Sequence, residues 1–166
     1  MSAIISACGR YRYELHRDVP ILWKTAPLMF IGVNPSTADA ETDDATIRKM
    51  RGFAVRLGYS EFMVGNVFAW RATDVRELAT VERHAVVGFD NPRHLSAMMA
   101  RAGMIIPCWG DTNKVPKSLH GQFTIMRTAL TMCGKPVRIF GLTNGGDPLH
   151  PLMLSYETQL KEWSAL

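Results

Sequence analysis

Four apolar runs separated by segments with helical periodicity constrain the fold of this chain more than any other feature. The runs span residues 28–33, 62–68, 104–109 and 137–142. Continuous apolar runs of this length are typical of strands buried on both faces of a sheet. Alternation of such strands with helices favours parallel strands whose crossover helices cover the sheet. We therefore predict an α/β fold, a three-layer sandwich around a central, mainly parallel sheet of four to five strands.

The segments outside these runs carry the signals of helices and of one more strand. Thr42-Asp43-Asp44 supplies N-cap chemistry for one helix, and Asn91-Pro92 begins another as N-cap and first residue. Apolar residues at helical spacing predict a third helix over residues 118–133. We also predict an edge strand at residues 12–17 and a last helix near residues 156–163.

Length and composition exclude several classes of protein. The chain has 166 residues, of which 47% are apolar and 20% charged, so we predict a single α/β domain over residues 1–166. No apolar stretch approaches the roughly 20 residues of a membrane span. The N-terminus lacks the basic segment of a signal peptide, so we expect no membrane partner and a cytoplasmic location. The three cysteines lack metal-ligand spacing, so we expect no metal and no other cofactor.

The net charge of +4 permits a polyanionic partner without establishing one. We expect a monomer whose partner is DNA or a nucleotide-like ligand, on the strength of the motifs that follow.

Two loops at opposite ends of the chain follow the first and last apolar runs. One is Gly32-Val33-Asn34-Pro35-Ser36, and the other begins at His150-Pro151. Loops that leave the carboxyl ends of strands share one rim of an α/β sheet, where ligands bind. We therefore expect Asn34 and His150 to face each other across one cleft. The alternatives are an ordinary Asn-Pro turn and a surface histidine.

The residues around these two positions suggest roles for each loop. Pro35, Ser36 and Thr37 lie close to a predicted helix start, where hydroxyl and N–H groups can hold a phosphate or position a water. A His150 ring nitrogen can donate to an oxygen that becomes negative during a reaction. Met153 and Leu154 are apolar side chains in a loop, which indicates either core packing or a wedge that enters a base stack.

Asn66 is a polar residue inside the second apolar run. A buried amide is costly unless something satisfies it. Its one acceptor and two donors suit a pyrimidine edge that carries O4 and N3–H. The alternative is a structural hydrogen bond to a neighbouring loop.

These landmarks, in this order, resemble the uracil-DNA glycosylase superfamily. Gly32-Val33-Asn34-Pro35-Ser36 is similar to the Gly-x-Asn-Pro-Gly loop of the mismatch-specific branch, and the strand around Asn66 is similar to the one that reads uracil. Pro107-Cys108-Trp109-Gly110 and the loop from His150 to Ser155 also have counterparts. The resemblance implies that Asn34 positions the hydrolytic water, that His150 stabilises the leaving base, and that the apolar residues after it wedge into the duplex.

The whole chain resembles more closely a bacterial and phage family known as domain of unknown function 1643. The carrying motifs are Asn34-Pro35-Ser36, Asp44-Ala45-Thr46, the stretch from Asn66 to Asp74, and His150-Pro151. Departures from the glycosylases include Ser36 in place of a glycine and the absence of their water-activating aspartate and tyrosine beside Asn34. Trp70 and Arg71 have no role in the glycosylase template, and we assign them to substrate binding.

The resemblance implies hydrolysis of an N-glycosidic bond in DNA or a related nucleotide, with the base flipped into the cleft. Asn34 and His150 would be catalytic, and Asp43 or Asp44 would help to activate water. Two alternatives stay open. One is a binding module for nucleic acid or nucleotides without catalysis, and the other is an enzyme that acts on modified phage-type bases.

Overall fold

The computed structural model describes residues 1–36, 38 and 40–164, within which seven strands and four α-helices form. The strands are β1 (Ser2–Ile5), β2 (Arg12–Asp18), β3 (Leu28–Gly32), β4 (Glu61–Asn66), β5 (Met104–Pro107), β6 (Arg138–Ile139) and β7 (Lys161–Glu162). The helices are α1 (Ala45–Arg56), α2 (Arg83–Val87), α3 (Asn91–Arg101) and α4 (Gly121–Met132). Four short 3-10 turns cover Val75–Thr80, Thr112–Lys114, Lys117–Leu119 and Pro151–Met153.

The main sheet has five strands in the order β1-β2-β4-β3-β5. β3 pairs in parallel with both β4 and β5, whereas β2 pairs antiparallel with both β1 and β4. The predicted α/β class is confirmed, but the sheet is mixed rather than mainly parallel. The difference arises from β2, which runs antiparallel to both of its neighbours. β1, which was not predicted, pairs with β2, so that β2 is not the expected edge strand.

Apolar residues of β3 face both sides of the sheet, which is why its run is uninterrupted. All five residues of the strand are buried. Met29 and Ile31 pack in one apolar cluster with side chains of α3 and α4. Leu28 and Phe30 pack in a second cluster with the buried stripe of α1. Helices therefore cover both faces of this strand, and its carboxyl end emerges between them.

The C-terminal part of the chain departs most from the predictions. The expected strand at residues 137–142 is reduced to β6, which pairs antiparallel with β7 in a separate two-stranded sheet. The expected last helix near residues 156–163 is wrong, because this segment contains β7. The Trp163 ring packs edge-on against the Trp109 ring, with the centroids 5.9 Å apart, and the backbone N–H of Trp163 donates to the carbonyl of Val137. These tertiary contacts hold the segment extended.

Helix starts agree with the sequence signals in one case and differ in another. Asp44 is the N-cap of α1, and its Oδ1 accepts from the N–H of Ile47 at 2.8 Å. Asn91 is the first helical residue of α3 rather than its cap, and its Nδ2 donates to the carbonyls of Asn66 and Val67. Over residues 1–36, 38 and 40–164, no helix combines the length and apolarity needed to cross a bilayer.

An ion-pair cluster fixes the start of α1 against β2. Arg17 is 1% exposed, and its Nε donates to Asp43 Oδ1 at 2.6 Å. Arg51, in the second turn of α1, donates to Asp43 Oδ2 at 2.8 Å. Burial alone raises the pKa of Asp43, but the hydrogen bonds from both arginines outweigh it and hold the pKa below its usual value. Because α1 lines the cleft described below, this cluster positions one wall of it.

We expect Asp43→Asn to lower the free energy of unfolding by about 3 kcal/mol, because it removes the partner of a buried guanidinium. Urea denaturation at pH 7 measures the loss. The lowered pKa means that Asp43 stabilises the fold above the ordinary pKa of a carboxyl group, and that this contribution disappears as the pH falls through the lower, folded value. The difference between wild type and variant should therefore shrink at acid pH. Asp18→Asn, at an exposed ion pair, is the control and should change stability by less than about 1 kcal/mol; an equal loss in both variants contradicts the assignment.

Candidate functional site

A cleft of about 700 Å³ opens at the carboxyl ends of β3 and β4. This volume lies within the roughly 300–1,000 Å³ of typical small-molecule sites. Its lining includes Asn34, Asn66 and His150, the three residues that the sequence pointed to, together with Ser36 and Asp44. Side chains from two strand ends, the start of α1 and a loop near the C-terminus therefore meet in one place.

The Asn34 amide has a fixed orientation. Its Nδ2 donates to the carbonyls of Ala72 at 2.7 Å and Pro35 at 3.1 Å. The flipped amide would set its oxygen against two acceptors, so the geometry leaves no choice of orientation. The Oδ1 atom accepts no hydrogen bond from the described residues. It remains as an acceptor for a water or a ligand at the cleft.

Asn66 ends β4 and is only 3% exposed. In the parallel register it lies beside Gly32, so closely that a Cβ on that glycine would come within 2.9 Å of Asn66 Oδ1. Its Nδ2 is buried and has no hydrogen-bond partner among the described residues. The side-chain NH2 group of Asn66 therefore makes no structural hydrogen bond to a neighbouring loop among the described residues. An unsatisfied buried donor costs about 1–3 kcal/mol, which a bound ligand can recover.

His150 begins the Pro151–Met153 turn, and its Nδ1 accepts from the N–H of Leu152 at 3.3 Å. Burial of the ring lowers the pKa of His150; the nearby Asp44 carboxylate opposes this effect and Lys114 adds to it. The ring is therefore neutral at pH 7, with its proton on Nε2. No described residue accepts from Nε2, so it is a neutral donor available to a ligand.

The two adjacent aspartates have different surroundings. Asp44 lines the cleft, and one of its carboxylate oxygens caps α1. Asp43 is absent from the cleft lining and is bound to Arg17 and Arg51. Of the two residues predicted for water activation, only Asp44 lines the cleft. No group of three His, Cys, Asp or Glu residues able to hold a metal occurs in the described part of the chain.

Three of the other predicted substrate-binding residues, Pro35, Trp70 and Arg71, are absent from the cleft lining. Pro35 is buried within the Asn34 loop, and its carbonyl accepts from the N–H of Ala72. Trp70 and Arg71 line a smaller, adjoining depression. Thr37 lies outside the described residues.

The predicted wedge residues separate into two environments. Met153 is 89% exposed next to the His150 loop. Leu154 is half-buried and packs against the apolar cluster on the α1 face, and its carbonyl accepts from Lys49 Nζ at 2.7 Å. Only Met153 therefore projects into solvent, whereas Leu154 packs in the core, which is the alternative that the sequence left open.

Two further charged residues line the cleft, and of these Arg12 was not predicted as a site residue. Arg12, on β2, is 3% exposed and donates to the Ala38 carbonyl at 2.5 Å. Asp74 caps the Val75–Thr80 turn, and hydrogen bonds from Arg76 hold the pKa of Asp74 at about 2. No local pattern indicates a role for Arg12, because its burial depends on β1 and on the loop before α1.

The family model described as "Protein of unknown function (DUF1643)" matches residues 12–152, and the chain belongs to this family. No curated protein and no solved structure matches the chain. The matched segment begins at β2 and reaches the His150 turn, so it contains every residue named above for the cleft. The family description states no activity.

We expect Gly32→Ala to displace the Asn66 amide, because the new methyl group would meet Asn66 Oδ1 at 2.9 Å. The Asn66 side-chain amide signals in an ¹⁵N–¹H correlation spectrum should shift strongly. Gly145→Ala is the control, since a Cβ there makes only ordinary van der Waals contacts at 3.7 Å or more, and those signals should stay in place. Unchanged Asn66 signals in Gly32→Ala contradict the described packing.

We expect His150 to titrate below the 6.5 of a free histidine and to carry its neutral proton on Nε2. Because folding lowers its pKa, the neutral ring stabilises the fold above pH 6.5, and this contribution is lost as the pH falls through the folded value. Long-range ¹⁵N–¹H spectra of the imidazole report both the pKa and the tautomer. A proton on Nδ1, or a pKa above 6.5, would falsify the assignment.

Proposed function

We propose that the protein hydrolyses the N-glycosidic bond of a uracil-like or modified pyrimidine base that is flipped out of DNA into the cleft. The observation that carries the proposal is the convergence of Asn34, Asn66 and His150 on one cleft. Each presents a polar atom that has no partner among the described residues: an acceptor on Asn34, a donor on Asn66 and a donor on His150. The three reactive parts of a nucleoside, which are the attacked sugar carbon, the base edge and the leaving oxygen, need these three kinds of group.

Asn66 would read the base. Its Nδ2 would donate to O4 of a pyrimidine, and its Oδ1 would accept from N3–H. A cytosine edge offers the reverse pattern and would leave the buried donor unpaired. Extrusion of the base costs a few kcal/mol of stacking and pairing, and this cost is lower for a mismatched or damaged base.

His150 would stabilise the departing base. As the bond between C1′ and N1 breaks, its electron pair moves into the ring, and negative charge accumulates on O2. The neutral Nε2–H of His150 would donate to that oxygen. A single well-placed donor of this kind contributes about 3 kcal/mol to the transition state.

Asn34 would hold the attacking water through Oδ1. The water oxygen forms the new bond to C1′, and its proton passes to the second carboxylate oxygen of Asp44 or to solvent. Asp43 takes no part, because two arginines hold it away from the cleft. With one carboxylate oxygen of Asp44 committed to the helix cap, we expect slow turnover.

The proposal extends to the architecture. Helices on both faces of β3, and a cleft at the carboxyl ends of parallel strands, are what a three-layer, uracil-DNA-glycosylase-like arrangement requires. The antiparallel pair β1 and β2 would be an addition at one side of such a sheet.

We expect Asn34→Ala and His150→Ala each to reduce release of uracil from a deoxyuridine-containing oligonucleotide at least tenfold, because each removes a group that acts on the reacting bond. Chromatographic detection of the free base under single-turnover conditions measures the rate. Asn144→Ala and His84→Ala, at exposed positions outside the cleft, are the matched controls and should retain the wild-type rate.

Two results separate the alternatives. Full activity in both cleft variants removes the assignment of Asn34 and His150. Binding of the oligonucleotide by wild type without any base release favours the non-catalytic binding module instead. A panel of modified nucleosides and duplexes, followed by mass spectrometry, tests whether a phage-type base is the substrate.

A further inference from the structure

The segment from residue 70 to residue 76 borders three adjoining depressions. The central one is the cleft. On one side lies the Trp70 groove, of about 350 Å³, which shares Ser36, Ala72 and Thr73 with the cleft. On the other side lies the Lys114 groove, of about 600 Å³, which shares Asp74 and Val75 with it. The three depressions therefore form one continuous track across the rim of the sheet.

The two outer grooves carry a net positive charge. Arg10 and Arg71 line the Trp70 groove, and Lys114 and Lys117 line the Lys114 groove. None of these four side chains is ion-paired in the described part of the chain. The acids of the two grooves are Glu77, which accepts from the N–H of Asp74, and Asp74, which is paired with Arg76. The cations outnumber the acids in both grooves.

The cleft between the grooves is close to neutral. Among its described lining residues, the Arg12 guanidinium balances the Asp44 carboxylate, and Asp74 is paired with Arg76. The lowered pKa of His150 keeps its ring uncharged at pH 7. Phosphate groups are therefore favoured at the positively charged flanks over the near-neutral centre, where a neutral base fits.

Local contacts orient the Trp70 groove for this purpose. The Arg10 guanidinium carbon lies 5.8 Å from the centroid of the Trp70 ring, a cation–π contact that holds the charge at the groove. Arg71 donates through Nη1 to the Gly9 carbonyl at 3.3 Å, which leaves its remaining N–H groups for an anion. Trp70 itself packs edge-on against Tyr11 at 5.4 Å.

We propose that a polynucleotide strand crosses this track, with phosphates on one side of the target nucleotide in the Trp70 groove and phosphates on the other side in the Lys114 groove. The inference rests on the proposed function only for the identity of the base in the cleft. It gives the Trp70-Arg71-Ala72-Thr73-Asp74 stretch a role as the wall of the strand path. A free mononucleotide, which carries phosphate on one side, would engage a single groove.

The test is the salt dependence of binding to a fluorescently labelled single-stranded 15-nucleotide DNA that contains one deoxyuridine. Fluorescence anisotropy over a range of salt concentrations gives the slope of log K against log salt. Each phosphate contact to a single strand contributes about 0.7 to this slope. We expect the slope to fall by about 1.4 in Arg10→Ala/Arg71→Ala and by about 1.4 in Lys114→Ala/Lys117→Ala, with weaker binding in both.

Arg93→Ala/Lys161→Ala is the control, because it removes two exposed charges that line none of the three depressions and should leave the slope unchanged. Thermal melting checks that every variant is folded. The proposal is overturned if wild type does not bind the DNA, if both groove variants behave like the control, or if only one groove affects the slope, as a mononucleotide site predicts.

Base release is measured in parallel, so that the two proposals fail separately. Reduced slopes in both groove variants without base release by wild type support the strand path and contradict the glycosidase. Base release with unchanged slopes supports the glycosidase and contradicts the strand path.

Discussion

The parallel pairing of β3 with β4 is the constraint on which the candidate site depends. The register sets Gly32 opposite Asn66, and the absence of a side chain on Gly32 leaves room for the amide. Any larger residue would meet Asn66 Oδ1 inside van der Waals contact. Since parallel strands end at the same edge, the same register brings the Asn34 loop to the mouth of the space that Asn66 lines. Strand pairing alone thus joins two polar side chains that are distant in the sequence.

The polar atoms around this space fall into two groups, and the division has physical meaning. Atoms that shape the backbone are satisfied: Asn34 Nδ2 binds two carbonyls, Asn91 Nδ2 binds two more, and His150 Nδ1 accepts from a turn N–H. Asn34 Oδ1, Asn66 Nδ2 and His150 Nε2 have no partner among the described residues, and all three residues line the cleft. Asn91 Oδ1 and Trp109 Nε1 are also unpaired there but belong to residues outside the cleft lining. Buried polar groups in folded proteins nearly always have partners, so an unpaired amide on Asn66 indicates a site that is completed by something other than this chain.

Sequence reasoning reached the elements whose signals are local. The apolar run of β3, the cap of α1 and the isolated Asn66 were recognised because periodicity and residue type reveal them directly. It failed where a long-range contact decides the outcome. Residues 156–163 stay extended because Trp163 packs against Trp109. β1 joins the sheet by pairing with β2, and the pattern of its four residues does not indicate a strand. The sequence likewise does not distinguish Asp43, which is ion-paired, from Asp44, which lines the cleft. That difference depends on the contact of Asp43 with Arg17 of β2.

The charge pattern of the cleft also bears on how the proposed reaction would proceed. Cleavage of a glycosidic bond separates charge, with the sugar becoming positive and the base negative. The Asp44 carboxylate in the cleft lining would favour the positive sugar, and the neutral donor of His150 would favour the negative base. A protonated histidine would lose its bond from Leu152, because Nδ1 would then be a donor facing another donor. A neutral ring therefore keeps the Leu152 hydrogen bond in the turn and also keeps the Nε2 donor available. It adds no further positive charge to a cleft that already contains Arg12.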